Sequence, residues 1–169
     1  MAMGGQSCLS TGTGSFAQGS SFALNNFAIS MGANCNSSGF ISVALGSGSV
    51  ATGETAVAIG AWAKAFGDFS FTAGSGTIAD GRYSVSLGSG THTKGDYSFA
   101  AGVGSVTNGE YSVALGSQAY SWGTHSMAFG PSCNASGVTS FASGTQSQAK
   151  GQGSIAMGLM AVSTGQASV

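Results

Sequence analysis

Glycine recurs in this chain at positions 32, 46, 60, 74, 88, 102, 116, 130, 144 and 158, every fourteenth place without a break. A second glycine column falls midway, at 39, 53, 67, 81, 95, 109, 123, 137, 151 and 165. A fixed period of this kind is the signature of a repeat architecture, in which each unit buries its face against the next. The segment closing on each first-column glycine repeats too. Ser42-Val43-Ala44-Leu45-Gly46 returns as Ser84-Val85-Ser86-Leu87-Gly88 and as Ser112-Val113-Ala114-Leu115-Gly116. A beat of seven from glycine to glycine suits a short strand and a tight turn. In a helix interior each glycine would cost about 1 kcal/mol, whereas it is at home where the backbone takes positive φ. Each 14-residue unit is therefore expected to be one coil of two strands and two turns. Successive coils would stack as parallel strands about 4.8 Å apart.

The columns predict which side chains face inward. Three places after the first glycine stand Cys35, Ser49, Ala63, Thr77, Thr91, Ser105, Ala119, Cys133, Ser147 and Ala161. Five places after it stand Ser37, Ala51, Ala65, Ala79, Thr93 and their successors, all small. Ten places on, nearly every coil has Ser, and twelve on, nearly every coil has Ala. Strand side chains alternate between faces, so these columns share the inside of a thin, flattened tube.

The opposite face of the second strand is apolar. Eleven places on stand Val43, Val57, Phe71, Val85, Phe99, Val113, Met127, Phe141, Ile155 and Val169. Thirteen on stand Leu45, Ile59, Ala73, Leu87, Ala101, Leu115, Phe129, Ser143 and Met157. Nine on, Phe69, Tyr83, Tyr97, Tyr111 and His125 fill five successive coils and are assigned to the same face. A thin tube cannot bury such a stripe, and exposed stripes of this size mark interaction surfaces. On a rod, a self-complementary stripe predicts a homo-oligomer with the stripes meeting along a common axis. The outward column of the first strand (Val50, Lys64, Ile78, His92, Val106, Tyr120, Asn134, Gln148) is mixed and suits solvent.

Other features bound the function. Charged residues are 5% of the chain and net charge is -1, so there is no basic patch for nucleic acid. No apolar run approaches the roughly 20 residues of a membrane-spanning helix, and the N-terminus lacks the parts of a signal peptide. This segment is read as soluble, without membrane contact. Glu54, Asp68, Arg82, Asp96 and Glu110 form a charged column after the second glycine. It is read as a solubilising turn column that guards against lateral association, with a metal or ligand ladder as the alternative, and Arg82 is placed to offset both Asp68 and Asp96. Trp62, Tyr120 and Trp122 are read as outward aromatics that either bind glycans or protein partners or cover a gap between protomers. His125 is read as packing, with an ion held at an oligomer axis as the alternative. Cys8, Cys35 and Cys133 fall in an inward column as core thiols. Cys8 and Cys35, two coils or about 9.6 Å apart by strand spacing, exceed the roughly 7 Å Cα limit for a disulfide. Asn36 and Asn134 begin sequons. Catalysis would need a nucleophile beside a base in a cleft, and the serine columns are packing positions. No cofactor or metal is expected.

The motif Ser42-Val43-Ala44-Leu45-Gly46, followed by Ala51-Thr52-Gly53, resembles the head repeat of YadA-like trimeric autotransporter adhesins. The resemblance is close over residues 32–169 and looser over 5–31. It implies a left-handed parallel β-roll, three of which wrap into a homotrimeric head. It also implies adhesion, often to collagen and other matrix proteins, through the Ser-Val-Ala-Leu/Ile-Gly face. Related repeats occur in phage and viral fibres. The family's usual Asn before Ser-Val-Ala is here Ile41, Tyr83 or Tyr111, which loosens the carry-over of collagen binding. No neck, coiled-coil stalk or membrane anchor is recognised, so the chain reads as an excised segment or as a free-standing fibre module.

The expectations are thus specific. The fold is an all-β left-handed parallel β-roll of 14-residue coils in a homotrimeric head. Residues 1–31 form irregular N-terminal coils or a cap, with Gly5, Gly12, Gly19 and Asn26 keeping the beat and a one-residue skip near Gln18-Gly19. Residues 32–169 form ten regular coils, the last incomplete, and the whole chain about twelve. The candidate ligand or trimer face is Val43, Leu45, Val57, Ile59, Tyr83, Val85, Leu87, Tyr97, Phe99, Tyr111, Val113 and Leu115. The function expected is attachment of an extracellular or cell surface to collagen, another matrix or cell-surface protein, or a glycan. The alternative is a structural module of a phage or viral fibre, on a virion surface, or of a self-assembling filament.

Overall fold

The computed structural model describes residues 1–3 and 7–169; Gly5 lies outside the described residues. The chain is an all-β parallel solenoid of about 11 turns, one fewer than the twelve expected. Each regular coil holds two strands, as the glycine spacing predicts, but they are unequal. Five-residue strands such as Val43–Ser47, Val57–Ala61 and Val85–Ser89 run through the first-column glycine. Two-residue strands such as Val50–Ala51 and His92–Thr93 make the opposite side. Pairing is parallel and advances by one full repeat per coil, for example Val85 with Phe99 and Gly88 with Gly102. Strand Met127–Phe129 is shortened to three residues. Pro131 lies just beyond it and brings no N–H to the ladder.

The N-terminal coils run on a different step. Phe16 pairs with Ile29 and Gly19 with Gly32, one short of the repeat, whereas Phe22 pairs with Asn36, a full repeat on. The shift falls between Ser20 and Phe22, just beyond Gln18-Gly19, where the sequence suggested it. Ser21 and Ala23 are already buried like their successors in later coils.

The interior is as thin as the columns predict. Its largest fully buried side chains are Thr and Cys. Cys35 and Cys133 take no part in a disulfide; their sulfurs donate to the carbonyls of Gly46 and Gly144 at 3.1 Å. Ser105 does the same to Gly116 at 2.9 Å, so thiol and hydroxyl are interchangeable there. The Cys8 sulfur donates to the Ala17 carbonyl at 3.2 Å. Hydroxyls from the two sides meet across the tube: Ser37 with Ser42 at 2.6 Å, Ser86 with Thr91 at 2.7 Å and Ser121 with Ser126 at 2.6 Å. The recurring Ser is more than a small residue. The hydroxyls of Ser42, Ser84, Ser98, Ser112, Ser126 and Ser140 donate to the carbonyl of the second-column glycine just before them, at 2.6–2.7 Å. Such local bonds are what favour Ser at turns.

The two glycine columns answer to a shared constraint, and positive φ is only part of it. Gly88 has φ of 112°, but Gly95 is absent from the positive-φ residues. At both, a Cβ would come closer to the carbonyl of the next coil's glycine (Gly102 or Gly109) than the 3.0 Å that real Cβ atoms keep. The backbones of stacked coils touch at these points, so no side chain fits. The left-handed positions are largely elsewhere, and many are not glycine: Ile41, Phe69, Tyr83, Tyr97 and Tyr111 all have φ of 55–57°.

The charged turn column has a backbone role. Asp68 Oδ1 accepts from the Glu54 N–H at 2.9 Å, and Asp96 Oδ1 accepts from the Arg82 N–H at 2.8 Å. Asn25, not Asn26, takes the glycine place opposite Gly12, so Asn26 falls in the turn column, where its Oδ1 accepts from the Thr13 N–H at 2.8 Å in the same way. An Asp or Asn here thus satisfies an orphan donor of the preceding coil. Arg82 pairs with Asp96 at 3.1 Å rather than bridging Asp68 and Asp96. The Arg82 backbone N–H, assisted by its guanidinium, holds the Asp96 carboxyl below the usual carboxylate range.

These contacts are open to measurement. Gly95→Ala is expected to destabilise the fold by about 3 kcal/mol or more, because backbone cannot yield as a side chain can. Gly90→Ala, with nothing within 4 Å of its added Cβ and φ of 62°, should lose only about 1–2 kcal/mol of left-handed strain. Denaturant titration followed by circular dichroism compares them, and equal losses would refute the contact explanation. Asp96→Asn keeps an acceptor for the Arg82 N–H and removes the charge. A lowered folded pKa adds stability that is present above the unfolded value of about 3.9 and is lost as pH falls through the folded value. The parent should melt slightly above Asp96→Asn at neutral pH, and the gap should close in acid. A gap unchanged by acid would rule out the ion pair as its source.

Candidate binding surfaces

The stripe is open along the solenoid. Val43, Val57, Phe71, Val85, Phe99 and Val113 are half-buried and stand in continuous register. Leu45, Leu87 and Leu115 are half-buried beside them, and Ile59 is exposed. Between the two columns Ala44, Ala58, Ser86, Ala100 and Ala114 are buried. Each outward side chain is flanked along the axis by its neighbours in the next coils, and its tip is left open. Farther along, Phe129 packs edge-on against Phe141 with centroids 5.6 Å apart. Met127, Ile155 and Met157 are exposed.

The aromatic column differs from its expected place. Phe69, Tyr83, Tyr97, Tyr111 and His125 sit in the turn ahead of the longer strand of their coil, not on the strand. Their backbones are left-handed, with φ of 55–57°, a conformation uncommon for bulky residues. Their rings stack in one ladder, with centroids 4.8–5.0 Å apart and planes within 7°. Each strained backbone costs about 1–2 kcal/mol, and each aromatic pair returns about 0.5–1.5 kcal/mol, so the stack offsets much of the strain. The backbone also helps: Tyr83, Tyr97 and Tyr111 N–H groups donate to the Asp68, Arg82 and Asp96 carbonyls at 2.8–3.0 Å. Ring faces are consumed within the ladder, so its outward side is ring edge and tyrosine hydroxyl. Aromatics in successive coils at one column were the sequence signal for the stack. The dihedral that puts them in a turn left no such mark.

The other side of the tube carries the outward aromatics. Tyr120 and Trp122 share the two-residue strand Tyr120–Ser121 and its next residue, with ring centroids 6.4 Å apart and 19° between planes. Trp122 is 45% exposed. Trp62 does not join them. It is 62% exposed in a left-handed turn position, with φ of 59°, and its ring lies over Gly48 of the preceding coil. Nearby on the first-strand face, His92 Nε2 pairs with Asp80 Oδ2 at 2.6 Å. Among the described residues no group of three potential metal ligands converges. Asp68, Asp96 and His125 are already engaged with backbone, arginine and ring neighbours.

Comparison with protein families gives one description. The YadA head domain repeat matches at residues 37–61, 51–77, 79–105, 94–119, 108–132, 123–147, 135–159 and 149–169. A comparison with curated proteins gave no match. The matched segments follow the coils whose glycine contacts, small interior and outward stripe are described above. The chain therefore belongs to the YadA head family, an adhesin-type module built of β-solenoid repeats.

Proposed function

We propose that three copies of this chain join along their apolar stripes into a trimeric head, which attaches an extracellular surface to matrix or cell-surface ligands. The carrying observation is the pair of columns Val43, Val57, Val85, Phe99, Val113 and Leu45, Leu87, Leu115, half-open over successive coils. The interior cannot take them, because its places are filled by Ala, Ser, Thr and Cys. Full burial of a Val or Leu is worth about 1.5–3 kcal/mol, and the opportunity recurs in every coil. A second chain alone would cover one flank of a ridge of this kind, whereas three ridges close around an axis. YadA-like heads form homotrimers and bind extracellular matrix generally, which supports both halves of the reading. The family is a surface-exposed adhesin domain, which supports an extracellular or cell-surface location.

Leu87→Asp with Leu115→Asp tests the assembly. Both side chains point away from the tube, so the coil should keep its circular dichroism. Sedimentation should show the parent at three times the 16.4 kDa chain mass and the double variant as a monomer. Adhesion to surfaces coated with collagen or other matrix protein should fall with the trimer. A parent that is monomeric at high concentration would refute the trimer, and long polydisperse assemblies would favour a filament instead.

A further inference from the structure

Tyr120 and Trp122 lie on the side of the tube away from the stripe. The interior hydroxyl pairs Ser37 with Ser42, Ser86 with Thr91 and Ser121 with Ser126 join the two sides of the coil from within. The outward faces of the two strands therefore point in opposite directions. Covering the stripe leaves the Tyr120 and Trp122 face open. We propose that this face is a glycan site that takes a linear chain of pyranoses bearing carboxylates, such as alternating uronic acid and N-acetylhexosamine. The proposal extends the adhesin reading by naming a ligand, but binding is measured separately from assembly.

Three observations carry it. First, the aromatic pair is wider than the turn ladder, at 6.4 Å against 4.8–5.0 Å, so its rings are less covered by each other, and Trp122 is 45% exposed. The less polar face of a sugar ring packs on such surface as any apolar group does. Second, two of the four outward neighbours one coil away are amides: Asn134 pairs in register with Tyr120, and Asn108 holds the place of Trp122 in the preceding coil, while Val106 and Ser136 fill the other two places. The Asn108 amide is exposed and both donates and accepts, which matches sugar hydroxyls and acetamido groups, whereas the Asn134 Oδ1 is turned inward and buried. Third, the charge on this face is of one sign beyond the His92–Asp80 pair. Lys94 and Lys150 are exposed and share Trp122's column two coils to either side, each about 9.6 Å away by strand spacing. No carboxylate stands in the outward columns from His92 to Thr164. The nearest, Asp96 and Glu110, belong to the turn column, and Asp96 is held by Arg82. A flexible polyanion laid along the coil axis would thus meet a cation, an aromatic centre and a second cation.

The test uses the full chain, with hyaluronan oligosaccharide and uncharged chitin oligosaccharide of equal length as probes, by calorimetry at low and physiological salt. Expected is binding of hyaluronan that Trp122→Ala weakens at least tenfold. Lys94→Gln with Lys150→Gln should weaken it and flatten its salt dependence. Chitin oligosaccharide should bind more weakly and ignore the lysine changes. Tyr120→Ala is the second aromatic variant, and circular dichroism checks that each outward change leaves the coil intact. The proposal is overturned if hyaluronan does not bind, if Trp122→Ala and Tyr120→Ala are both without effect, or if the neutral oligosaccharide binds equally well. Sedimentation of the same samples separates the two readings. A trimer that binds no oligosaccharide removes the glycan site alone, and a monomer that binds it removes the trimer alone.

Discussion

Everything in this molecule rests on the backbone contact between glycines of successive coils. At Gly88 and Gly95 alike, the carbonyl of the matching glycine in the next coil occupies the space a Cβ would need. Two such contacts per coil, one at the end of each half, fix the stacking distance and the register together. A coil shifted by one residue would bring a side chain against a carbonyl, and a one-residue shift would also turn every strand residue to the opposite face. The N-terminal coils show what happens when the spacing changes. The shorter step is absorbed between Ser20 and Phe22, after which the full repeat continues without a break through the paired strands to Ala149 and Ser163.

Close stacking has a consequence for the interior. Opposed strands are joined by direct hydroxyl pairs such as Ser37 with Ser42 at 2.6 Å, so there is no room for a Leu or Phe between them. A core of Ala, Ser, Thr and Cys gives little hydrophobic driving force per residue. The recurring Ser makes up part of this through its bond to the carbonyl of the glycine just before it, present at Ser42 and in each coil from Ser84 to Ser140. Large apolar side chains then have only the outside. The apolar stripe is the counterpart of the thin core: what the interior cannot hold stands half-open on the outside. Along its axis the fold is stabilised by the stacking of its own coils.

The spacing of the columns made the inside legible residue by residue. Cys35, Ala51, Ala63, Thr91, Thr93 and Cys133 are buried as their positions required, and Val43 and Leu45 face out. Side-chain alternation is a property of any strand, so faces can be read from spacing alone. Dihedral angles cannot. Glycine marks both a left-handed residue and a close approach, and at Gly95 only the second applies. The left-handed places went instead to residues such as Ile41 and Tyr97, whose types carry no hint of it. The aromatic column was therefore visible as a column but misplaced onto a strand. The acids at 68 and 96 were visible as charge, while their bonds to the backbone N–H groups of Glu54 and Arg82 needed the turn geometry. Among the outward aromatics, the sequence grouped Trp62 with Tyr120 and Trp122; only the coordinates separate it from the pair.

The tyrosines add a constraint of their own. The residue before Ser-Val-Ala must adopt left-handed φ, which Asn tolerates through its short polar side chain. Tyr has no such allowance, and an isolated Tyr there would be strained. Five aromatics in successive coils change the balance, because each ring finds a neighbour 4.8–5.0 Å away. The strain is local while the compensation is collective. A ladder of this kind is favourable in a run and unfavourable one residue at a time. Its ends are the places where a ring has one neighbour instead of two: Phe69, whose predecessor in the column is Thr55, and His125, whose successor is Thr139. The stacked stretch, residues 69–125, overlaps the charged turn column, which runs from Glu54 to Glu110. There the turn edge of the solenoid is held by three axial systems at once: ring stacking, the backbone bonds of the turns, and the carboxylates of Asp68 and Asp96. Ring ladder and turn bonds thus reinforce the same edge over the same coils, so the register there is held by more than the glycine contacts.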